Sequence, residues 1–290
     1  MRAAGPAPAA TRPALANGAS SCLQSLTDRV LWLVAAAALG ALLLLLGVEH
    51  YWLRDLKFDD AYIHFRYAEN IARGEGFVYN PGERVLGSGA VPWNLMLAVI
   101  AALVPAGTLP AAVSVLNYLA LLACAALLLA ALRELVRPWL GMAITAALLA
   151  QGPLVVSSVG GMETVFLCVL YLVTFLALLR QRYLLAGLAA GGAVCFRLES
   201  VFLAGVTVLA PLLHDRRQFW RALGATLLLP LLDYLWAWAY FGFPIANSTM
   251  ASGNRKPTTL RRWNCFAASA RNSPKAKPAT TIRPFSKSSK

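Results

Sequence analysis

A series of apolar runs, several about the length of a bilayer crossing, constrains this chain more than any other feature. They are Leu31 to Gly47, Ala111 to Leu132, Pro138 to Val156, Thr164 to Leu179, Tyr183 to Leu213 and Ala222 to Phe241. A helix crosses the hydrocarbon core of a membrane with about 20 apolar residues, so runs of this length and number specify a polytopic bundle rather than a soluble core. Charge content agrees: only 13% of the 290 residues are charged and 59% are hydrophobic, against about 25% charged in an average soluble domain. The run from Tyr183 is too long for one span, and Arg197 and Glu199 interrupt it near its middle. It divides into two short spans. The expected fold is an all-α transmembrane bundle of about seven spans.

Arginine placement tests that count independently. With the N-terminus cytoplasmic, seven spans put Arg133 and Arg137, then Arg180 and Arg182, then Arg216, Arg217 and Arg221 in successive cytoplasmic connections, as the positive-inside rule requires. Asp59, Asp60, Glu69, Glu75, Glu83, Glu163, Arg197 and Glu199 fall on the opposite side. Val91 to Pro105 is short for a span and would reverse everything after it, so an interfacial or re-entrant helix is expected there. The chain then reads as a cytoplasmic leader over 1–30, a membrane domain over 31–250 with a long first outer loop at 48–110, and a basic tail over 251–290.

The formal net charge of +13 belongs mostly to that tail. Residues 251–290 hold ten of the 26 basic residues and none of the 13 acidic ones, leaving 16 − 13 = +3 for the rest. A basic chain of this kind raises nucleic acid as a partner, but the excess lies in a terminal stretch rather than on a folded face, and nucleic-acid binding is not expected. Lysine is equally uneven, with Lys57 alone before residue 250 and five lysines after it. A frameshifted or truncated end is the expectation, with 251–290 outside the native pattern. Cys22, Cys124, Cys168, Cys195 and Cys265 are scattered, without metal-ligand spacing, and read as small hydrophobes.

The first outer loop carries the chemistry. From Phe58 it runs FDDAYIHFRYAENIARGEGFVYNPGERVLGSGAVPWNLMLA. Asp59 or Asp60 can cap a helix running to about Arg73, with Gly74 in the left-handed stop position. Ala61, Phe65, Ala68 and Ala72 form its apolar face, and the helix is expected to lie along the membrane surface. Asn80-Pro81-Gly82-Glu83 fits a tight turn that presents Glu83 and Arg84 near the helix start. Plainer roles also fit. The Asp pair complements the helix dipole, Glu69 and Arg73 make an i,i+4 ion pair, and His64 is a hydrogen-bonded surface histidine. Glu163, Arg197 and Glu199 stand at the same side of the bundle, where a buried charge needs a partner or a ligand; an Arg197 pair with Glu163 or Glu199 is the structural alternative.

The combination Asp59-Asp60-Ala61-Tyr62-Ile63, Arg66-Tyr67-Ala68, Asn80-Pro81-Gly82-Glu83-Arg84-Val85, Gly161-Met162-Glu163-Thr164, Arg197-Leu198-Glu199 and Tyr240-Phe241-Gly242-Phe243-Pro244 resembles the C-type membrane glycosyltransferases. It is similar to their bacterial arabinofuranosyltransferase and mannosyltransferase-like branch, over about residues 28–250. Leu198 stands where relatives usually have Pro, and Gly89-Ala90-Val91-Pro92-Trp93 where they often show Thr-Ser-Pro-Leu-Trp. The resemblance implies a bacterial inner-membrane enzyme moving a sugar from a polyprenyl-phosphate donor to a lipid or glycan acceptor on the outer face, with inversion and without a nucleotide cofactor. It implies Asp59 or Asp60 as base, with the other orienting the site or holding a divalent cation with Glu163. Arg66, Arg84 and Arg197 would meet the lipid phosphate, and Glu83 and Glu199 would contact substrate. A non-catalytic remnant of such an enzyme and a transporter or lipid flippase are the competing classes; internal repeats and broken helices in corresponding halves, the usual signs of a transporter, are not seen in the sequence.

Overall fold

A computed structural model describes residues 14–83, 86–213 and 215–242, with side chains from Ser25 onward. Arg84, Val85, Phe243, Pro244 and the tail over 251–290 lie outside the described residues. The chain divides into two units, Met1–Asn247 and Ser248–Lys290. Among the described residues of the first unit the structure is all-helical. The helices are α1 (Ala14–Trp52), α2 (Asp59–Ala72), α3 (Val91–Leu103), α4 (Leu109–Leu132), α5 (Pro138–Leu149), α6 (Gly152–Val159), α7 (Thr164–Leu179), α8 (Tyr183–Phe196), α9 (Val201–Leu209) and α10 (Arg217–Phe241), with 3-10 turns at Leu198–Ser200 and Ala210–Leu213.

Three helices are long and apolar enough to cross a membrane: α1 from Ser25 to Trp52, α4 and α10. The α5–α6 pair, bent by 60°, makes a fourth if it is one broken span. This is a membrane protein. The bend falls at Ala150-Gln151, just before Pro153, which lacks the amide that would continue the ladder of α5. The remaining predicted runs are helical too, but α3, α7, α8 and Leu198–Leu213 are shorter.

Small residues set the closest helix packing. Gly187 and Gly191, one GxxxG spacing apart on α8, face Ala222, Ala225 and Thr226 of α10. A Cβ on Gly187 would meet the Ala222 carbonyl at 2.8 Å, and one on Gly191 would collide with the carbonyl of Thr226. Backbones approach this closely only where side chains are absent, the usual device for joining helices in lipid. At one end of the bundle Arg180 donates to Glu134 from Nε and Nη2 at 2.9 and 2.8 Å, so the α4–α5 and α7–α8 connections meet there. The site described next lies at the other end.

Candidate functional site

The site starts at the junction of α1 and α2. Phe58 is the N-cap of α2 in an extended conformation, with no side-chain cap, and Asp59 and Asp60 occupy the first helical turn. The expected Asp cap is therefore replaced by two exposed carboxylates at positions where they complement the helix dipole. Gly74 (φ 79°) ends the helix in the left-handed region, as its sequence position predicts. The buried face is Ala61, Phe65 and Ala68, packed on Trp93 and Leu97 of α3. Ala72 is exposed instead, and Ile71 takes its place against the core. Fourteen residues wind four turns, and the drift from a strict i,i+4 row moves the apolar stripe to Ile71 by the last one.

Two glycines dock α2 onto the α6–α7 turn. Phe58 N–H donates to the Gly160 carbonyl at 2.9 Å, and the Phe58 ring lies where a Cβ on Gly160 would be. Gly161 (φ 83°) reverses the chain beneath Lys57, Ala61 and Phe65. Asn117 of α4 pins the same turn by donating to the Ser158 carbonyl at 2.8 Å. Lys57 closes the junction from the other side, donating to Ser114 Oγ and the Arg54 carbonyl at 2.7 Å and to the Val159 carbonyl at 3.0 Å. Half-burial of that ammonium lowers its pKa from 10.5 to about 8.

Glu163 follows this turn and is 3% exposed. Its Oε1 accepts from Arg197 Nε and Nη2 at 3.0 and 2.9 Å. Oε2 is buried with no hydrogen-bond partner among the described residues and stands 3.8 Å from His64 Nε2. His64 is itself buried, which corrects the expected surface histidine. Its Nδ1 lies 2.8 Å from Asn94 Oδ1, and Asn94 Nδ2 donates to Ser88 Oγ at 2.9 Å. With the proton on Nδ1, Nε2 turns a lone pair toward Glu163 across a gap longer than a hydrogen bond. The result is a chain of polar groups from the guanidinium at the surface through a buried carboxylate to a histidine on α2.

The other predicted residues divide. Glu83 lies with Ile63, Tyr67, Tyr79, Asn80 and Gly87 around a cavity of about 300 Å³ beside α2. The turn beneath it forms as expected, with Glu83 N–H donating to the Asn80 carbonyl at 3.1 Å and Gly82 at φ 88°. Among the described residues Arg66 Nε donates to the Tyr79 carbonyl at 3.4 Å. Glu69 and Arg73 pair at 3.1 Å. Glu199 is exposed, and its expected alternative role as partner of Arg197 falls to Glu163. Arg84 lies outside the described residues. No group of three or more His, Cys, Asp or Glu side chains comes together among the described residues. Asp60 and Glu163 belong to no such group, and the Glu163 carboxylate is paired with Arg197 through Oε1.

His64, Asn94, Ser88 and Lys57 were not legible as site residues. A signal existed: Lys57 is the one lysine before residue 250, and Asn94 and Asn117 are amides inside otherwise apolar helices. Polar groups in such positions must find partners. The loop is finally tied to the last helix, where Phe77 N–H donates to Tyr240 Oη at 3.1 Å within a cluster of Phe77, Trp236, Tyr240 and Phe241. No protein-family model, curated protein or solved structure matches the chain.

Proposed function

We propose that the chain is a C-type membrane glycosyltransferase of the bacterial inner membrane, transferring a sugar from a polyprenyl-phosphate donor to a lipid or glycan acceptor on the extracytoplasmic side. The observation that carries this reading is the junction of α2 with the α6–α7 turn. It gathers three sequence stations of the resemblance, at Asp59-Asp60, Gly161-Met162-Glu163 and Arg197, at one end of the bundle. In this reading α7, α8, the α9 segment and the bent α5–α6 pair complete seven spans around α1, α4 and α10, with the N-terminus cytoplasmic.

The chemistry follows from the groups present. The acceptor hydroxyl oxygen attacks the anomeric carbon, its proton passes to Asp59 or Asp60, and the anomeric carbon–oxygen bond to the phosphate breaks, its electron pair leaving with the polyprenyl phosphate. A single displacement inverts the anomeric centre. Arg197, whose side chain is 43% exposed while Glu163 beneath it is almost fully buried, stands where it can meet the leaving phosphate with charge-assisted hydrogen bonds. Arg66 and Arg84 are further candidates for that role, and Glu83 and Glu199 for contacts to the sugars, Glu83 through the cavity it shares with Tyr67 and Tyr79. No step is routed through a divalent cation. The test is transfer from a radiolabelled polyprenyl-phosphate sugar by the purified chain in detergent. Asp59→Asn or Asp60→Asn is expected to abolish it, and transfer that survives both substitutions would overturn the site.

A further inference from the structure

We infer that a second cavity, at the opposite end of α1, binds the headgroup of an anionic glycerophospholipid. It is the larger of the two, about 760 Å³. Asp28, Arg29, Trp32 and Leu33 of α1 form one wall, and Arg137, Pro138 and Trp139 at the start of α5 form the other. Its place along the membrane is fixed by the helix: Arg29 to Trp52 is 23 residues, or about 34 Å of rise, close to the thickness of the hydrocarbon core, about 30 Å. The α2 site and this cavity therefore lie at the headgroup levels of opposite leaflets. The inference rests on the membrane crossing of α1 and not on the transferase reading.

The lining has the chemistry of a lipid phosphate site. Two arginines from separate elements converge, and Asp28 pairs with Arg137 at 3.3 Å, which holds that side chain against α1 and leaves the three groups at a net 2 − 1 = +1. Pro138 takes the first position of α5, so the next amides, of Trp139 and Leu140, belong to the first turn and have no intrahelical acceptor. They add the positive end of the helix dipole to the guanidinium charge. Trp32 and Leu33 are 46% and 60% exposed and give acyl chains an apolar surface directly below the charges. Tryptophan beside arginine is the composition of a membrane interface, and basic pockets between membrane helices select anionic headgroups.

The experiment uses the full chain in nanodiscs containing a photoactivatable phosphatidylglycerol, with attachment sites mapped by peptide mass spectrometry. Position is the readout, because residues 251–290 carry ten basic residues of their own and bulk binding would not locate the site. Crosslinks are expected on the peptides holding 25–33 and 137–139, competed by unlabelled phosphatidylglycerol and not by phosphatidylcholine. Arg29→Gln and Arg137→Gln should each lower that crosslinking about five-fold, corresponding to about 1 kcal/mol per arginine. Arg133→Gln, a charge change outside the cavity, should leave it unchanged. Leu33→Trp, which fills the cavity and keeps its charges, should also lower crosslinking and decides the matter if an arginine variant does not fold. Equal competition by phosphatidylcholine, crosslinks elsewhere only, or full displacement by millimolar sn-glycerol 3-phosphate, which would mark a soluble phosphate ester as the ligand, would each overturn the inference.

Discussion

The α8–α10 seam and the α2–α7 junction hold their backbones close by opposite means. The seam does it by removing side chains: Gly187 and Gly191 lie against Ala222, Ala225 and Thr226, and few polar side-chain atoms take part. The junction also uses glycines, Gly160 and Gly161, but surrounds them with groups that must be satisfied, namely Lys57, Asn117, Glu163, Arg197 and His64. A seam of dispersion contacts is strong and little affected by salt or ligand. A junction of desolvated charges is more sensitive to each of these, because changing one partner leaves another uncompensated. Binding and proton transfer belong at the second kind of contact.

Substitutions can break that contrast in a definite order. The largest effect is expected from Gly191→Leu, which drives a branched side chain into the Thr226 carbonyl and should destabilise the bundle by about 3 kcal/mol or more, read as a lowered detergent melting temperature. Salt should not alter that loss. Arg197→Ala comes next, at about 2 to 3 kcal/mol, at or below the low end for a broken buried pair because the arginine is partly exposed. Its mark is rescue: Glu163→Gln in the same chain should recover most of the loss in a double-mutant cycle, and additive losses would show that the two do not act as a pair. Asn117→Leu should cost about 1 to 2 kcal/mol by leaving the Ser158 carbonyl without its donor.

A separate effect tests the junction through pH. Lys57 sits at about 8 against 10.5 for a free lysine, so between those values the unfolded chain binds more protons than the folded one. Stability should therefore rise with pH across about 8 to 10.5, and the cost of holding the ammonium should be fully present below 8. Acylation by acetic anhydride, followed on the Lys57 peptide, should reach half its plateau near pH 8; a midpoint above 10 would remove the burial argument. The smallest effect belongs to Glu69→Gln, about 0.3 to 0.5 kcal/mol, since its pair with Arg73 is solvated.

Much of this was legible in the chain. Apolar runs marked the helices, Arg197 and Glu199 marked the break after α8, and Gly74 and Gly82 marked a helix end and a turn, because each rests on a local rule of length, charge or backbone angle. What was not legible depends on contacts between segments far apart in sequence. Phe58 took the cap from the Asp pair because its N–H finds the Gly160 carbonyl. His64 reads as a surface residue on α2 until Asn94 of α3 and Glu163 are packed over it. The GxxxG pair on α8 is visible as spacing, but its partner is decided only by which helix returns beside it.

The bond from Phe77 N–H to Tyr240 Oη joins residues 163 positions apart, and this sets a schedule for biosynthesis. At about 5 to 20 residues per second, the segment bearing Asp59, Asp60 and Glu83 leaves the ribosome roughly 8 to 30 seconds before its last anchor is made. Over that interval its amide and the exposed Phe77 ring must be held by water, lipid or the insertion machinery, and α10 completes the region only as it arrives.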